Sequence, residues 1–333
     1  FRIFDLLARS QGSTSFPFTK FLGDSLDATL SLQSNGPINL AINSPNARAS
    51  IVGKFLNGAL TLDQPLHAQA VLTPEISQLL LREVNPLGIS YIYSQNPITV
   101  EIAPKDFYLP LFPLDLKRAS IPQGKIELGK INCHNEGNIN TALTLLKSKQ
   151  FDKGKDLVLW FAPIDFRLGK GIAQIERTEI LLSNTFDIAV WGNIDLGNNY
   201  VDMILGLTAP TLKKAFGIKD LPENYVLTIP MKGPADDVKI NTGKATTKIA
   251  LLLAWQQKDL AGGVGGPAGA LLGGVLGKIA LPDQDAKIPP AKHPFPWEVG
   301  KKNKEASLAP SPGKKKHFKA KEQPIKQILK IFR

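Results

Sequence analysis

The sequence predicts a mostly β protein, with a long antiparallel sheet, a few short helices and a C-terminal amphipathic helix. The first observation is a succession of short β-rich runs between about Phe16 and Asn241, such as "PINLAINS", "PITVEIAP" and "FDIAVWGNIDL". The second is that Gly, Pro and Asn separate these runs at spacings near ten residues, which is typical of a meander. We therefore assign residues 1–241 to one β-rich domain.

Two short helices are predicted inside this domain. Thr73, Pro74 and Glu75 form a favourable helix start, and "PEISQLLLREV" continues it, which predicts a helix near 74–84. The run "APTLKKAFG" predicts a second helix near 209–217, ended by Gly217 as a C-cap.

After residue 241 the composition changes. Residues 242–280 begin with "TGKATTKIALLLAWQQKDL", which predicts a closing amphipathic helix, and continue with a Gly/Leu-rich segment. Glycines recur there at every fourth position from Gly265 to Gly277. This spacing fits either a smooth helical stripe or a flexible low-complexity segment.

The positive charge of the chain is concentrated in its tail. Residues 292–333 contain twelve Lys and Arg against three Glu, a net charge of +9, which leaves +2 for the rest of the chain. We expect residues 281–333, rich in Pro and Lys, to be disordered up to a short amphipathic helix at the end. Such a helix can bind an anionic membrane or a partner groove. The predicted membrane-contact residues are Lys314, Lys315, Lys316, Ile325, Ile328, Leu329 and Phe332. Nucleic acid is not an expected partner, because the tail has few aromatic residues and no recognisable binding module.

The sequence shows no convincing catalytic constellation. The lone Cys133 excludes an intramolecular disulfide framework and a multi-cysteine zinc site. His134 follows it directly, and neighbouring side chains of a strand point to opposite faces, so the two would not act together. Gly263, Gly265 and Ala268 match a loose dinucleotide spacing, but a helix precedes them instead of a strand. We therefore expect no catalytic residues, no metal site, no cofactor and no enzymatic activity.

The stretch "WGNIDLGNNYVDMILGL", residues 191–207, predicts a β-hairpin. A turn at Gly197 and Asn198 makes one face wholly apolar and the other mixed and polar. The opposed apolar positions are Ile194 and Val201, Gly192 and Met203, and Val190 and Leu205. Moving the turn by one residue would place Asp195 directly opposite Asp202, a like-charge pair that disfavours that register.

The apolar face of such a sheet must be covered. A second sheet, flanking helices or an apolar ligand could cover it, and periodicity does not choose between them.

The order of segments resembles the C-terminal region of the AsmA-like family of envelope proteins. The resemblance rests on "VWGNIDLGNNYVDMILGL", "LTIPMKGPADDVKIN", "TGKATTKIALLLAW" and "GGPAGALLGGVLGKI", and it covers about residues 166–280. It implies a curled sheet, shaped as a groove or half-barrel, whose apolar concave face binds phospholipid acyl chains. It also implies a periplasmic location in a double-membrane bacterium, with an inner-membrane anchor upstream of Phe1, so that the chain is the C-terminal part of a longer protein.

The resemblance implies support of lipid transport between inner and outer membranes, or of outer-membrane assembly, with phospholipid, the membranes and an envelope protein as partners. The residues expected to form the lipid-binding apolar face are Ile188, Val190, Ile194, Val201, Met203, Leu205, Leu227 and Ile229. The alternative is a structural or assembly module, in which protein fills a β-sandwich and the basic tail docks to a partner or an anionic membrane.

Overall fold

The computed structural model describes residues 25–33, 36–74, 77, 92–94, 96–146, 154–261, 281–283 and 287–299, with side chains as far as residue 256 in the third helix. Contacts divide the chain into two units, Phe1–Phe295 and Pro296–Arg333. Of the second unit, residues 296–299 are described and are helical.

One antiparallel sheet contains 17 strands. The strands are β1 (Asp27–Leu32), β2 (Pro37–Asn43), β3 (Ala47–Leu56), β4 (Ala59–Leu62), β5 (Leu66–Ala70), β6 (Tyr93–Ser94), β7 (Ile98–Ile102), β8 (Leu109–Pro110), β9 (Ser120–Glu127), β10 (Lys130–His134), β11 (Asp156–Phe161), β12 (Ile164–Gly169), β13 (Ile172–Leu182), β14 (Phe186–Asp195), β15 (Tyr200–Thr208), β16 (Val226–Pro234) and β17 (Lys239–Ile240). The sheet is accompanied by the helices α1 (Gly137–Leu145), α2 (Ala209–Phe216) and α3 (Thr242–Ala261).

The sheet is a meander, because strands that pair are near neighbours along the chain. Its main path runs β1–β2–β3–β5–β7–β9–β12–β13–β14–β15–β16–β17. A second run of paired strands connects β6, β10, β11 and β13. The short strand β4 pairs with β3 on one side and with β8 on the other. The prediction of a mostly β chain with one long antiparallel sheet is confirmed, and this sheet is not closed.

The register of the β14–β15 hairpin is also confirmed. Ile194 pairs with Val201, and residues 196–199 connect the two strands. The Asp195 carboxylate accepts hydrogen bonds from the backbone N–H groups of Gly197 and Asn198, at 3.0 and 2.9 Å. This local bonding lowers the pKa of Asp195, with the Asn198 side chain as the largest cause.

The predicted helix near 209–217 is observed as α2. Its N-cap is Thr208, whose hydroxyl accepts a hydrogen bond from the Thr211 N–H, and its C-cap is Gly217 at φ 72°. In the predicted helix at 74–84, Pro74 and Ser77 are helical and the remaining residues lie outside the described part. Within 242–280 the closing helix is α3, and the Gly/Leu-rich segment 262–280 also lies outside. Among the described residues, no helix is both long and apolar enough to cross a bilayer.

The expectation of disorder from residue 281 onward does not hold for residues 281–283 and 287–295. The Tyr225 hydroxyl donates to the Pro282 carbonyl at 2.6 Å, and Phe295 is only 4% exposed. Asp283 accepts hydrogen bonds from Thr228 and Lys248 at 2.9 to 3.0 Å. These residues are ordered because distant parts of the sheet and α3 supply their partners. The membrane-contact residues predicted between 314 and 332 lie outside the described part.

Candidate functional site

One face of the sheet is apolar across its full width. Directly paired residues of neighbouring strands project to the same side, so the register defines a face strand by strand. The directly paired residues of β1, β2 and β3 are Leu30, Leu40 and Ile51. On β3, β5, β7, β9 and β12 the paired residues of the same face are Ala49, Ala68, Val100, Ile126 and Ile164. From β12 to β16 they are Phe166, Ile175, Gly192, Met203 and Met231. We call this surface the apolar face.

Helices cover the C-terminal half of the apolar face. All eight residues expected to contact lipid lie on this half and are at most 7% exposed: Ile188, Val190, Ile194, Val201, Met203, Leu205, Leu227 and Ile229. They form one hydrophobic core with Ile139 and Leu143 of α1, Leu212 of α2 and Leu252 of α3. The structure therefore places these eight side chains against protein, because α1, α2 and α3 contribute to the core that covers them.

The N-terminal half of the apolar face is less covered. Most of its aliphatic side chains on β2, β3, β5, β7 and β9 are half-buried, and on β1 Leu30 and Leu32 are 43% and 52% exposed. Within the described part of the chain, the following belong to neither hydrophobic core: Leu30, Leu32, Leu40, Ile42, Ala49, Ala68, Ala70, Val100 and Ile126. We call these nine residues the open strip.

Two cores border the open strip. At one end of the strands, Leu60, Leu62 and Phe107 form a second core, against which Ile51 and Ile102 pack. At the other end, Ile98 and Ile164 pack against the core of the C-terminal half. The strip crosses six strands, from β1 to β9, and five strand spacings of about 4.8 Å make it roughly 24 Å long.

The opposite face of the sheet is polar. Arg167 forms an ion pair with Glu176 on it, and Lys232 forms one with Asp202. The His67 Nδ1 lies 3.5 Å from the Glu101 carboxylate on the same face. A pocket of about 320 Å³ between β9, β12 and β13 is lined by Asp165, Arg167, Glu176 and Lys292, together with Pro122, Gln123, Gly124 and Phe166. Lys292 forms ion pairs with the carboxylates of Asp165 and Glu176, and it lowers the pKa of Glu176. The two positive charges of Arg167 and Lys292 balance the two negative charges of Asp165 and Glu176 in this pocket.

A buried ion pair holds the C-terminal segment on this polar face. Arg177 and Glu179, 8% and 1% exposed, are 2.7 Å apart. Arg177 also donates a hydrogen bond to the Pro289 carbonyl at 2.7 Å. Burial raises the pKa of Glu179, and the neighbouring Arg177 opposes that rise. The chain itself therefore supplies these two partners of Arg177.

In the described part of the chain, Cys133 and His134 do not act together on one site. Cys133 is fully buried, and burial raises the pKa of its thiol to about 12, which disfavours the nucleophilic thiolate. His134 projects to the other face, where its Nδ1 lies 2.7 Å from Oδ1 of Asp156. Across the described ranges, no three His, Cys, Asp or Glu side chains are placed to hold a metal ion.

No protein-family model, curated protein or solved structure matches this chain significantly. The resemblance to the AsmA-like family therefore rests on the sequence motifs alone.

Proposed function

We propose that this protein is a non-enzymatic lipid-binding protein that holds phospholipid acyl chains on its open strip. The observation that carries the proposal is that, within the described residues, the apolar face extends beyond the cover that α1, α2 and α3 provide. Nine aliphatic side chains of six strands lie there outside both hydrophobic cores. Contiguous apolar surface of this extent is typical of a binding surface, because monomeric proteins seldom leave it exposed to water.

The dimensions of the open strip suit an acyl chain. One leaflet of a bilayer contributes about 15 Å of hydrocarbon thickness, so an acyl chain fits within the roughly 24 Å of the strip. Burying a methylene yields about 0.8 kcal/mol, and a chain of a dozen methylenes with one side on the sheet would recover about 5 kcal/mol. Such a surface offsets part of the cost of removing a lipid from a bilayer without nucleotide or metal.

The resemblance to AsmA-like proteins supports the cellular part of the proposal. On this proposal the chain lies in the periplasm of a double-membrane bacterium, joined to the inner membrane by a segment upstream of Phe1. It would support lipid transport between the two membranes or assembly of the outer membrane. The basic tail, with Lys314 to Lys316 and the amphipathic residues up to Phe332, would contact a membrane or an envelope partner.

A second candidate function is a structural or assembly module. The observation that favours it is the covered half of the apolar face, where α1, α2 and α3 join the sheet in one core. If the open strip also receives a protein segment in the cell, the sheet is a scaffold and carries no lipid.

A matched pair of double variants tests lipid binding. We expect Leu40→Glu with Ala68→Glu, both on the open strip, to lower bound phospholipid at least roughly tenfold, since a charged group in contact with an acyl chain loses its hydration. The control is Ala41→Glu with Gln69→Glu, which adds the same charge at exposed neighbouring positions on the polar face of β2 and β5. The measurement is phospholipid per protein by mass spectrometry after purification without detergent.

The unmodified chain and the control are expected to carry phospholipid to the same extent, with unchanged circular dichroism. An unmodified chain free of lipid would contradict the proposal and favour the assembly module. Equal lipid in both double variants would also contradict it, because the site would then lie elsewhere.

A further inference from the structure

Exposed hydrophobic side chains gather at one corner of the sheet. Eight large hydrophobic residues of the described part are exposed, and four of them are Leu30, Leu32, Leu56 and Phe112. Leu32 ends β1 and Leu56 ends β3. Because β1 and β3 are both antiparallel to the intervening β2, they run in the same direction and finish at the same end of the sheet. The concentration at this corner is unlike the scattered exposure of single apolar residues on other surfaces.

The loop that carries Phe112 is fixed against the β3–β4 turn. The backbone N–H groups of Leu111 and Phe112 both donate to the Gly58 carbonyl, at 2.8 and 3.0 Å. Gly58 has a φ of +77°, and a Cβ there would lie 2.6 Å from the Phe112 carbonyl oxygen, so glycine permits this approach. The Phe112 side chain is therefore held at the surface by its backbone, with 47% of its area exposed.

The apolar face reaches this corner through Phe55. Phe55 lies two residues beyond Gly53 on β3, on the same side as Ile51. Its ring meets the ring of Phe112 edge to face, with centroids 5.9 Å apart. Leu56 follows Phe55 and lies on the other side of β3, and Leu56, Phe112 and Pro113 are all exposed at this end of the strand. We call these three residues the apolar tip.

We propose that the apolar tip inserts into the surface of a phospholipid bilayer, where it places the end of the apolar face against the membrane. This inference deepens the proposed function and rests on it for the passage of lipid to the open strip. The apolar tip consists of three side chains, whereas a stable protein interface buries about 800 Å² per partner. A bilayer surface accepts a few protruding apolar side chains without a complementary shape.

The charges of the same loop favour anionic lipid. Lys117 and Arg118 follow the apolar tip and are exposed. Asp115, which lies between the apolar tip and these cations in sequence, accepts a hydrogen bond from the Lys117 backbone N–H at 3.0 Å and keeps its negative charge, so these three residues carry a net charge of +1. Cations beside an apolar insertion are attracted to the negative surface potential of membranes that contain anionic phospholipid.

A site-specific fluorescent label tests the insertion. Cys133 is fully buried, so a new surface cysteine is the only accessible thiol among the described residues. Phe112→Cys and the control Leu251→Cys, at a residue of α3 that is 42% exposed, are each labelled with a polarity-sensitive fluorophore in the full chain. With phosphatidylcholine–phosphatidylglycerol vesicles, we expect a blue shift and a severalfold increase in emission at position 112, quenched by brominated lipid, and no change at position 251.

Co-sedimentation with the same vesicles provides the second measurement. Leu56→Ser with Phe112→Ser should weaken vesicle binding roughly tenfold, whereas Leu251→Ser should not change it. If vesicles did not change the emission of the label at position 112, the inference would be overturned, whether or not the chain sedimented with them. Equal responses to vesicles with and without phosphatidylglycerol would overturn the role of Lys117 and Arg118.

Failure of this inference is distinguishable from failure of the proposed function. A chain that carries phospholipid after purification but whose label at position 112 ignores vesicles overturns the apolar tip alone. A chain that carries no phospholipid but whose label responds overturns lipid binding on the open strip and supports the membrane contact.

Discussion

Leu205→Glu is expected to unfold the C-terminal half of the sheet. Leu205 is fully buried, pairs with Val190 and Ile229 on either side, and lies in the core that includes α1, α2 and α3. The substitution removes a packed leucine and buries an unpaired carboxylate, which together cost more than about 4 kcal/mol. This is a large fraction of the 5–15 kcal/mol that typically stabilises a folded domain. Urea titration followed by circular dichroism measures the loss.

The same substitution on the open strip is the control for this prediction. Leu40→Glu introduces a carboxylate on the half-buried side of β2, where water can still reach it, and should cost about 1 kcal/mol. If Leu205→Glu proved as stable as Leu40→Glu, the helices would not cover the C-terminal half, and the division of the apolar face into a covered half and an open strip would be wrong.

Gly192→Ala is expected to destabilise the β14–β15 hairpin by about 2–4 kcal/mol. Gly192 has a φ of +136°, a conformation that side-chain-bearing residues rarely adopt. An added Cβ would lie 2.5 Å from the Asp202 carbonyl oxygen and 2.7 Å from the Met203 Cα. Both atoms belong to the backbone of β15, so the clash cannot be relieved by turning a side chain. The free energy of unfolding from urea titration measures the effect.

A second glycine of the same sheet supplies the control. Gly169 ends β12, and a Cβ there would meet no atom within 4 Å. Gly169→Ala should therefore change the free energy of unfolding by less than about 0.5 kcal/mol. Equal effects of the two substitutions would show that Gly192 is not required by its conformation and its contact with β15.

The hairpin register was predictable because two independent local rules agree. Alternation of apolar and polar residues defines the two faces, and repulsion between Asp195 and Asp202 disfavours the shifted turn. In the structure Asp202 instead pairs with Asn193 and accepts a hydrogen bond from Lys232 at 2.8 Å. The helix α2 was predictable for a similar reason, since Thr208 and Gly217 mark its ends.

The helix α1 was missed because its sequence, "GNINTALTL", has little intrinsic helix propensity. Tertiary contacts stabilise it instead. The Asn138 amide donates to the Val238 carbonyl at 2.8 Å, and Ile139 and Leu143 are at most 2% exposed in the core. The ordered residues after position 281 were missed for a related reason, because Tyr225 and Arg177, which hold them, are more than 50 residues away in sequence.

The apolar face could be predicted from the sequence, whereas the pattern of its strands could not predict the helical cover. A period-two pattern identifies the apolar side of a strand, but it carries no information about what packs on that side. The eight predicted residues, from Ile188 to Ile229, therefore lie on the apolar face but in its covered half. One sequence feature does indicate a helical cover. The apolar run of α3 from Ile249 needs a surface to pack against, and the strands that precede α3 along the chain supply that surface.

Position-specific photo-cross-linking on the purified, lipid-loaded protein tests the central claim most directly. A diazirine side chain is introduced at one position at a time: at Ala68 on the open strip, at Gln69 on the polar face, or at Met203 in the covered half. We predict phospholipid adducts at position 68 and none at positions 69 and 203. Adducts at position 203, or their absence at position 68 in protein that carries lipid, would contradict the assignment of acyl chains to the open strip.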